Sequence, residues 1–158
     1  MISAGQKIDT RFTLKVVENG ATRAVVFGDL LKQRPAIVSV YMKNNTPSCD
    51  RQNDSLAEHA GEFEKLGYQV IAISRDTCGS HTKYAAKKGI RYTLVSDPDD
   101  AFAKATDSVV EKSMYGRTFH GPARAAYVLG TDGTVLAILE KVDTKDHAAQ
   151  LRAALADL

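Results

Sequence analysis

The chain has 158 residues, enough for one domain with a sizeable core and no need of cross-links. Its 21 lysines and arginines against 19 aspartates and glutamates leave a net charge of +2, which gives no footprint for nucleic acid or an anionic membrane. The two cysteines, Cys49 and Cys78, are too few for a disulfide scaffold and read as free or catalytic thiols of a reducing compartment.

Residues Met1 to Thr10 carry Gln6, Lys7 and Asp9 and no apolar leader, and no apolar run reaches bilayer length, so the expected compartment is the cytoplasm. Phe12 to Val17 alternates loosely. Glu18-Asn19-Gly20 then offers a turn, and Ala24 to Phe27 follows; Asn-Gly between apolar runs predicts a hairpin. Asp29 to Arg34 reads as a short helical turn ended by Pro35. The β-branched run Ala36 to Met42 predicts a central buried strand. A helix follows with Leu56, Ala60, Phe63 and Leu66 on one face and Gly67 as its stop.

Tyr68 to Ser74 reads as a second buried strand. Ser80 can cap a helix through Lys88 that ends at Gly89, and Tyr92 to Ser96 is a third strand. Asp97-Pro98 breaks it, with Asp99 or Asp100 opening a short helix to Thr106. Asp107 to Ala123 is polar and contains glycine. Ala125 to Leu129 and Val135 to Leu139 flank Thr131-Asp132-Gly133, a hairpin with a turn mechanism. Asp146 to Leu158 is a closing amphipathic helix carrying Leu151, Leu155 and Leu158. Alternating buried strands and helices imply parallel crossovers, and the last hairpin adds antiparallel strands. The expected architecture is a single α/β domain over residues 1–158: a central mixed β-sheet flanked by helices on both faces, with an N-terminal β-hairpin extension.

The most informative segment is Thr46-Pro47-Ser48-Cys49. It lies between the end of a buried strand and a helix, where sites of open α/β sheets tend to form. Thr46 is a good N-cap residue and Pro47 fits the first helical position. That register puts Cys49 in the first turn, where unpaired N–H groups and the positive dipole end favour a thiolate. The motif resembles the Thr-x-x-Cys motif of peroxiredoxins, and more closely that of the bacterioferritin-comigratory, or PrxQ, subgroup. Ile71-Ala-Ile-Ser-Arg-Asp76, Ser80-His81, Leu94-Val-Ser-Asp97, Met114-Tyr-Gly116, Arg124 before Tyr127-Val-Leu129, and Asp132-Gly133 extend the likeness in order over about the whole chain.

The resemblance implies a thioredoxin fold, in agreement with the order of elements. It also implies a thiol-dependent peroxidase that reduces hydrogen peroxide or an organic hydroperoxide. In that scheme Cys49 is the peroxidatic nucleophile, Thr46 hydrogen-bonds the peroxide, and Arg124 keeps the cysteine ionised. Met42 stands where the family usually has a proline that shields the cysteine, and Ser48 replaces its usual glycine. Both departures bear on pocket shape.

The sulfenic acid left on Cys49 is normally captured by a second thiol. The usual resolving positions hold Asp54 and the segment with Tyr84-Ala85-Ala86. Three resolutions stay open: Cys78 as an unusual resolving cysteine, an external thiol, or a resolving cysteine lost, for example at Ala85. The one-cysteine scheme is favoured as the sequence stands.

The implied partners are a peroxide and thioredoxin or another thiol reductant, and the subgroup suggests a monomer, though dimeric members occur. No cofactor is called for. His59, His81, His120 and His147 form no metal-ligand spacing and read as caps or surface residues, and no phosphate-binding glycine loop follows a strand. Asp97-Pro-Asp-Asp100 is explained by a turn and a helix cap. Met114, Tyr115 and Phe119 are candidates for an apolar pocket wall or for the core, and Gly116, Gly121 and Gly133 for turns. The competing function is a redox sensor or thiol-based signalling protein using the same cysteine, with a non-enzymatic interaction module behind it. The absence of Cys-x-x-Cys disfavours a disulfide reductase.

Overall fold

The computed structural model describes residues 1–158, the side chain of Met114 excepted. Strands β1 (Thr13–Glu18) and β2 (Ala21–Val26) lead to a short helix α1 (Phe27–Leu31). Three βα units follow: β3 (Ala36–Val40) and α2 (Pro47–Lys65), β4 (Gln69–Ser74) and α3 (Cys78–Lys88), β5 (Thr93–Ser96) and α4 (Ala101–Ala105). A hairpin of β6 (Val109–Met114) and β7 (Arg117–Pro122) precedes β8 (Ala126–Leu129), β9 (Val135–Leu139) and α5 (His147–Ala156).

Seven strands form one sheet in the order β2-β1-β5-β4-β3-β8-β9, and β6-β7 stand apart as a two-stranded sheet. The β3–β4 and β4–β5 pairs are parallel, and the other pairs of the large sheet are antiparallel. This is the expected mixed sheet with its N-terminal hairpin. Asn19 and Gly20 take φ of 52° and 78°, the two positive values that a tight two-residue hairpin turn requires.

Strand periodicity sorts β3 onto two cores. Val38 and Val40 face a cluster with Phe27, Leu31, Phe102 and Tyr127. Ile37 and Tyr41 face the other side, with Leu56 and Phe63 of α2, Tyr84 of α3 and Leu151 of α5. Ser39 shares that second face and is fully buried, so it needs polar partners there.

Several element ends differ from the sequence expectation, each for a local reason. Leu66 is 58% exposed, because the chain reverses after α2 through Gly67 at φ 96° and carries Leu66 off the buried face. The third helix starts at Cys78, two residues before Ser80, because the hydroxyl of Thr77 accepts the Ser80 N–H and caps it there. Gly89 ends that helix at φ 67°, as expected. At α4 the capping carboxylate belongs to Asp97, which accepts the N–H groups of Ala101 at 2.8 Å and Phe102 at 3.0 Å. Leu158 lies past the end of α5 and is exposed.

Residues 107–123, read only as a polar stretch containing glycine, hold a regular hairpin. Its turn is Tyr115-Gly116, with φ of 53° and 74°. Tyr115 projects into solvent at the tip, 96% exposed, so it is not core; with Arg117, Thr118 and Phe119 it lines an open cleft on the hairpin, and the side chain of Met114 lies outside the described residues. Gly121 is within β7 rather than in a turn, and the Arg75 guanidinium lies where a Cβ would point.

Candidate active site

Parallel strands β3 and β4 end at the same edge of the sheet, and the loop after β3 delivers Cys49 as the third residue of α2. Thr46 is extended and Pro47 is the first helical residue, as the motif requires. The thiol is buried, 1% exposed. Thr46 does not cap the helix with its side chain. Its hydroxyl donates instead to the Lys43 carbonyl at 2.8 Å, which braces the loop and leaves the oxygen's lone pairs free.

Arg124 comes from the short link between β7 and β8. That link is fixed on both sides: Ala123 N–H donates to Ser108 O at 2.9 Å, and Val40 N–H donates to Ala125 O at 2.9 Å. The guanidinium Nη1 reaches Cys49 Sγ at 3.4 Å and donates to Gln52 Oε1 at 2.7 Å. Burial is the largest influence on the Cys49 thiol and pushes its pKa up. The Thr46 hydroxyl, the main chain at Lys43 and Met42, and the Arg124 charge outweigh burial and bring it below the ordinary thiol value. The Thr46 hydroxyl has one proton, so it serves either the Lys43 carbonyl or the sulfur by rotating between them. The sequence expectation placed thiolate stabilisation in the first helical turn; the turn of chain at the end of β3 contributes as well.

A buried polar chain continues from Arg124. Gln52 Nε2 donates to Ser39 Oγ at 2.7 Å and to Val40 O at 3.2 Å, and Ser39 Oγ lies 3.0 Å from His147 Nε2. Gln52, Ser39 and His147 are all fully buried. A second set ties the loop to α3: Tyr41 donates to Asn44 Oδ1 at 2.6 Å, Asn44 N–H to Asp76 at 3.0 Å, and Tyr84 to Asp50 at 2.6 Å. His81 Nε2 lies 3.0 Å from Val95 O and donates to it, so Nδ1 accepts from Asn44 Nδ2 at 3.1 Å. His81 and His147 are therefore buried, hydrogen-bonded residues, not the caps or surface residues expected of them. Neither Gln52 nor Ser39 emerged from sequence reasoning, and His147 emerged without a role at the site. The available signals were a polar residue inside an apolar strand and an amide one helical turn beyond Cys49.

The hairpin β6–β7 closes another side. Arg75 pairs with Asp100 and donates to His120 O at 2.9 Å. Lys112 Nζ rests on Met42 Sδ; burial first, then the charges of Arg124 and Arg75, hold its pKa below the usual lysine value. Met42, standing where the family usually has proline, thus receives the hairpin.

Cys78 packs against the core cluster that contains Cys49 but opens onto a different groove. It is half-buried at the start of α3 and lines a groove of about 440 Å³ with Leu14 and Lys15 of β1 and residues 96–99. Cys49 and Cys78 are both unpaired thiols. Among the described residues no cluster of acidic, histidine and cysteine side chains is arranged to hold a metal ion, and no helix is long and apolar enough to cross a membrane.

Comparison with known proteins places the chain in a family. Residues 4–138 match the AhpC/TSA family. Peroxiredoxin Bcp of Xanthomonas campestris is 35% identical over 119 residues, 75% of this chain and 74% of the relative. Peroxiredoxin Bcp of Escherichia coli is 30% identical over 111 residues, 70% and 71% of the two chains. The solved structure of Xanthomonas campestris Peroxiredoxin Q superposes with a TM-score of 0.85 at 29% identity, covering 98% of this chain and 97% of that one. A structure of the bacterioferritin comigratory protein of the same organism, described for its alkyl peroxide reduction activity, gives 0.83 at 26% identity, with 98% and 99% covered. With its sheet order, its helix-start cysteine and these relatives, the chain belongs to the AhpC/TSA family, among the thioredoxin-fold Bcp/PrxQ peroxiredoxins, and is a thiol-dependent peroxidase.

Proposed function

We propose that Cys49 is the peroxidatic nucleophile, with Arg124 and Thr46 as its partners in the reaction. The observation that carries this reading is the Arg124 Nη1 to Cys49 Sγ approach of 3.4 Å at the first turn of α2. The thiolate attacks the terminal peroxide oxygen, the O–O bond breaks, and the sulfur keeps OH while the other oxygen leaves as hydroxide or alkoxide and takes a proton from solvent. Arg124 attracts the negative charge first on sulfur and then on the departing oxygen. The Thr46 oxygen accepts the peroxide O–H while its own hydrogen stays on the Lys43 carbonyl. That contact turns the reacting oxygen toward sulfur.

Regeneration uses an external thiol. A first thiol condenses with the sulfenic acid, releasing water and forming a mixed disulfide, and a second thiol reduces that disulfide. Two features favour this over Cys78. The Cys78 groove is lined by β1 and residues 96–99 rather than by the residues around Cys49. The usual resolving position on α2 is Asp54, paired with Lys88 of α3 at 3.2 Å. Thioredoxin or a low-molecular-weight thiol is the donor. Hydrogen peroxide or an organic hydroperoxide is the substrate, since the half-reaction engages only the peroxide group. The whole chain, residues 1–158, acts as one domain, and the subgroup favours a monomer. Two free thiols suit a reducing compartment such as the cytoplasm.

Stopped-flow mixing of reduced protein with hydrogen peroxide tests the reading. One peroxide is consumed rapidly per Cys49, and turnover continues when thioredoxin and its reductase are supplied. A rapid first reaction without sustained turnover under any thiol donor would leave the redox-sensor reading in its place.

A further inference from the structure

We infer that His147, the first residue of α5, is a positioning residue for the peroxidatic site, acting on Arg124 through Ser39 and Gln52. This rests on the assignment of Cys49 and Arg124 above. Direction propagates along the chain from one unambiguous donor. The backbone N–H of Asp143 donates to Gln150 Oε1 at 2.7 Å, so the Gln150 amide presents oxygen on that side, while its Nε2 donates to Lys141 O at 2.9 Å. The same Oε1 faces His147 Nδ1 at 3.4 Å, so Nδ1 carries the hydrogen.

In a neutral imidazole the other nitrogen is then bare. His147 Nε2 accepts, and Ser39 Oγ, 3.0 Å away, donates. With its hydrogen spent on the imidazole, Ser39 has only lone pairs for Gln52 and accepts from Nε2 at 2.7 Å. Gln52 is thereby held with its nitrogen toward β3 and Oε1 toward Arg124, which donates to it at 2.7 Å. A flipped Gln52 would put an NH2 group against the guanidinium and leave two facing donors buried.

Burial keeps the imidazole neutral. His147 is fully buried, and burial first, with the Arg124 charge adding to it, lowers its pKa. At the other end of the chain the Val40 carbonyl, which can only accept, takes Gln52 Nε2, and the Arg124 guanidinium, which can only donate, takes Oε1, so both ends agree on one direction and Ser39 is held between them. The histidine on α5 thus reinforces, through Ser39, the face that Gln52 presents to the arginine beside the cysteine.

His147→Leu, His147→Gln and Ser39→Ala, each in the full chain, test this. Two quantities are read in each: the Cys49 thiolate titration by ultraviolet absorbance, in a Cys78→Ser background, and the rate of single-turnover oxidation by hydrogen peroxide. His147→Leu removes the acceptor, so the Cys49 pKa rises by about one and oxidation slows about tenfold. His147→Gln can place Oε1 where Nε2 stands and returns both to within about twofold of the parent. Ser39→Ala gives the same loss with the histidine intact, and serves if the leucine variant fails to fold. A lower melting temperature with an unchanged titration and rate would make His147 merely structural and overturn the inference. Cys49→Ser separates the two readings: peroxide still consumed by that variant sinks the Cys49 assignment, whereas a dead Cys49→Ser beside an unaffected His147→Leu sinks only the relay.

Discussion

The two cysteines occupy equivalent places in successive βα units, yet their surroundings differ. Cys49 is the third residue of the helix after β3, and Cys78 is the first residue of the helix after β4. Both lie at the N-terminal, positive end of a helix dipole. Only Cys49 is sealed from solvent, and only its sulfur has a charged hydrogen-bond donor against it among the described residues. A helix start is therefore not what makes a reactive cysteine here. The arginine brought in from the β7–β8 link, and the loop between β3 and α2, supply the difference.

The sharpest break of this comparison is to exchange the two sulfurs' fates. Cys49→Ser abolishes rapid peroxide consumption, whereas Cys78→Ser leaves the rate of the first oxidation at the parent value. Mass spectrometry of the parent after one equivalent of peroxide shows sulfenic acid on Cys49, or its adduct with added thiol. An intramolecular Cys49–Cys78 disulfide would overturn the external-thiol scheme. Next in size is Arg124→Ala, which removes the feature that Cys78 lacks. Oxidation slows by roughly a thousandfold, the upper range for removing one preorganised charge-stabilising donor, and the Cys49 thiolate titration moves up. A loss of less than about fivefold would mean that the loop alone activates the sulfur.

The sequence displays the Cys49 half of this comparison better than the Arg124 half. Pro47 marks a helix start by mechanism, and the apolar runs from Ala36, Tyr68 and Tyr92 declare the three parallel strands. Both are local signals. Arg124 is 75 positions from Cys49, and nothing in that spacing brings them together; only the family likeness did. Ser39 and His147 meet across 108 positions, a contact that needs the finished sheet and α5 docked upon it. The β6–β7 hairpin is hidden for a different reason. Its turn has two positive φ values as Asn19-Gly20 does, but places Tyr115 where asparagine or glycine is favoured. A tyrosine there costs about 1 kcal/mol or more and erases the turn signature.

The polar chain behind Cys49 also makes the stability of the fold depend on pH. Burial, the largest cause, brings the folded-state pKa of His147 from 6.5 to about 4. As pH falls below about 6.5 the unfolded chain binds a proton at this imidazole that the folded protein refuses until near 4. The unfolded state binds more protons in that window, so stability drops with falling pH and is complete above it. The loss approaches roughly 3 kcal/mol at the acid end. His81, whose pKa burial also lowers, adds to the same trend. Urea unfolding of the parent and His147→Gln at about pH 7 and about pH 4.5 isolates the His147 share. The parent loses more stability than the variant between the two conditions, and an equal loss would place the acid sensitivity elsewhere.

The smallest effect separates the loop's contribution from the arginine's. Thr46→Val keeps the shape of the side chain and removes its hydroxyl, hence both the contact offered to a peroxide and the bond to the Lys43 carbonyl. Lys43 is an exposed residue, so water can take up its carbonyl and stability changes little. The kinetic cost is larger, since the hydroxyl also lowers the Cys49 pKa: about tenfold in the oxidation rate, with the thiolate titration shifted upward. Thr46→Ser restores the hydroxyl and recovers most of the rate. If valine matches threonine in rate and titration, the hydroxyl serves only to brace the loop, and activation of Cys49 then falls to Arg124 and the main chain at Met42 and Lys43.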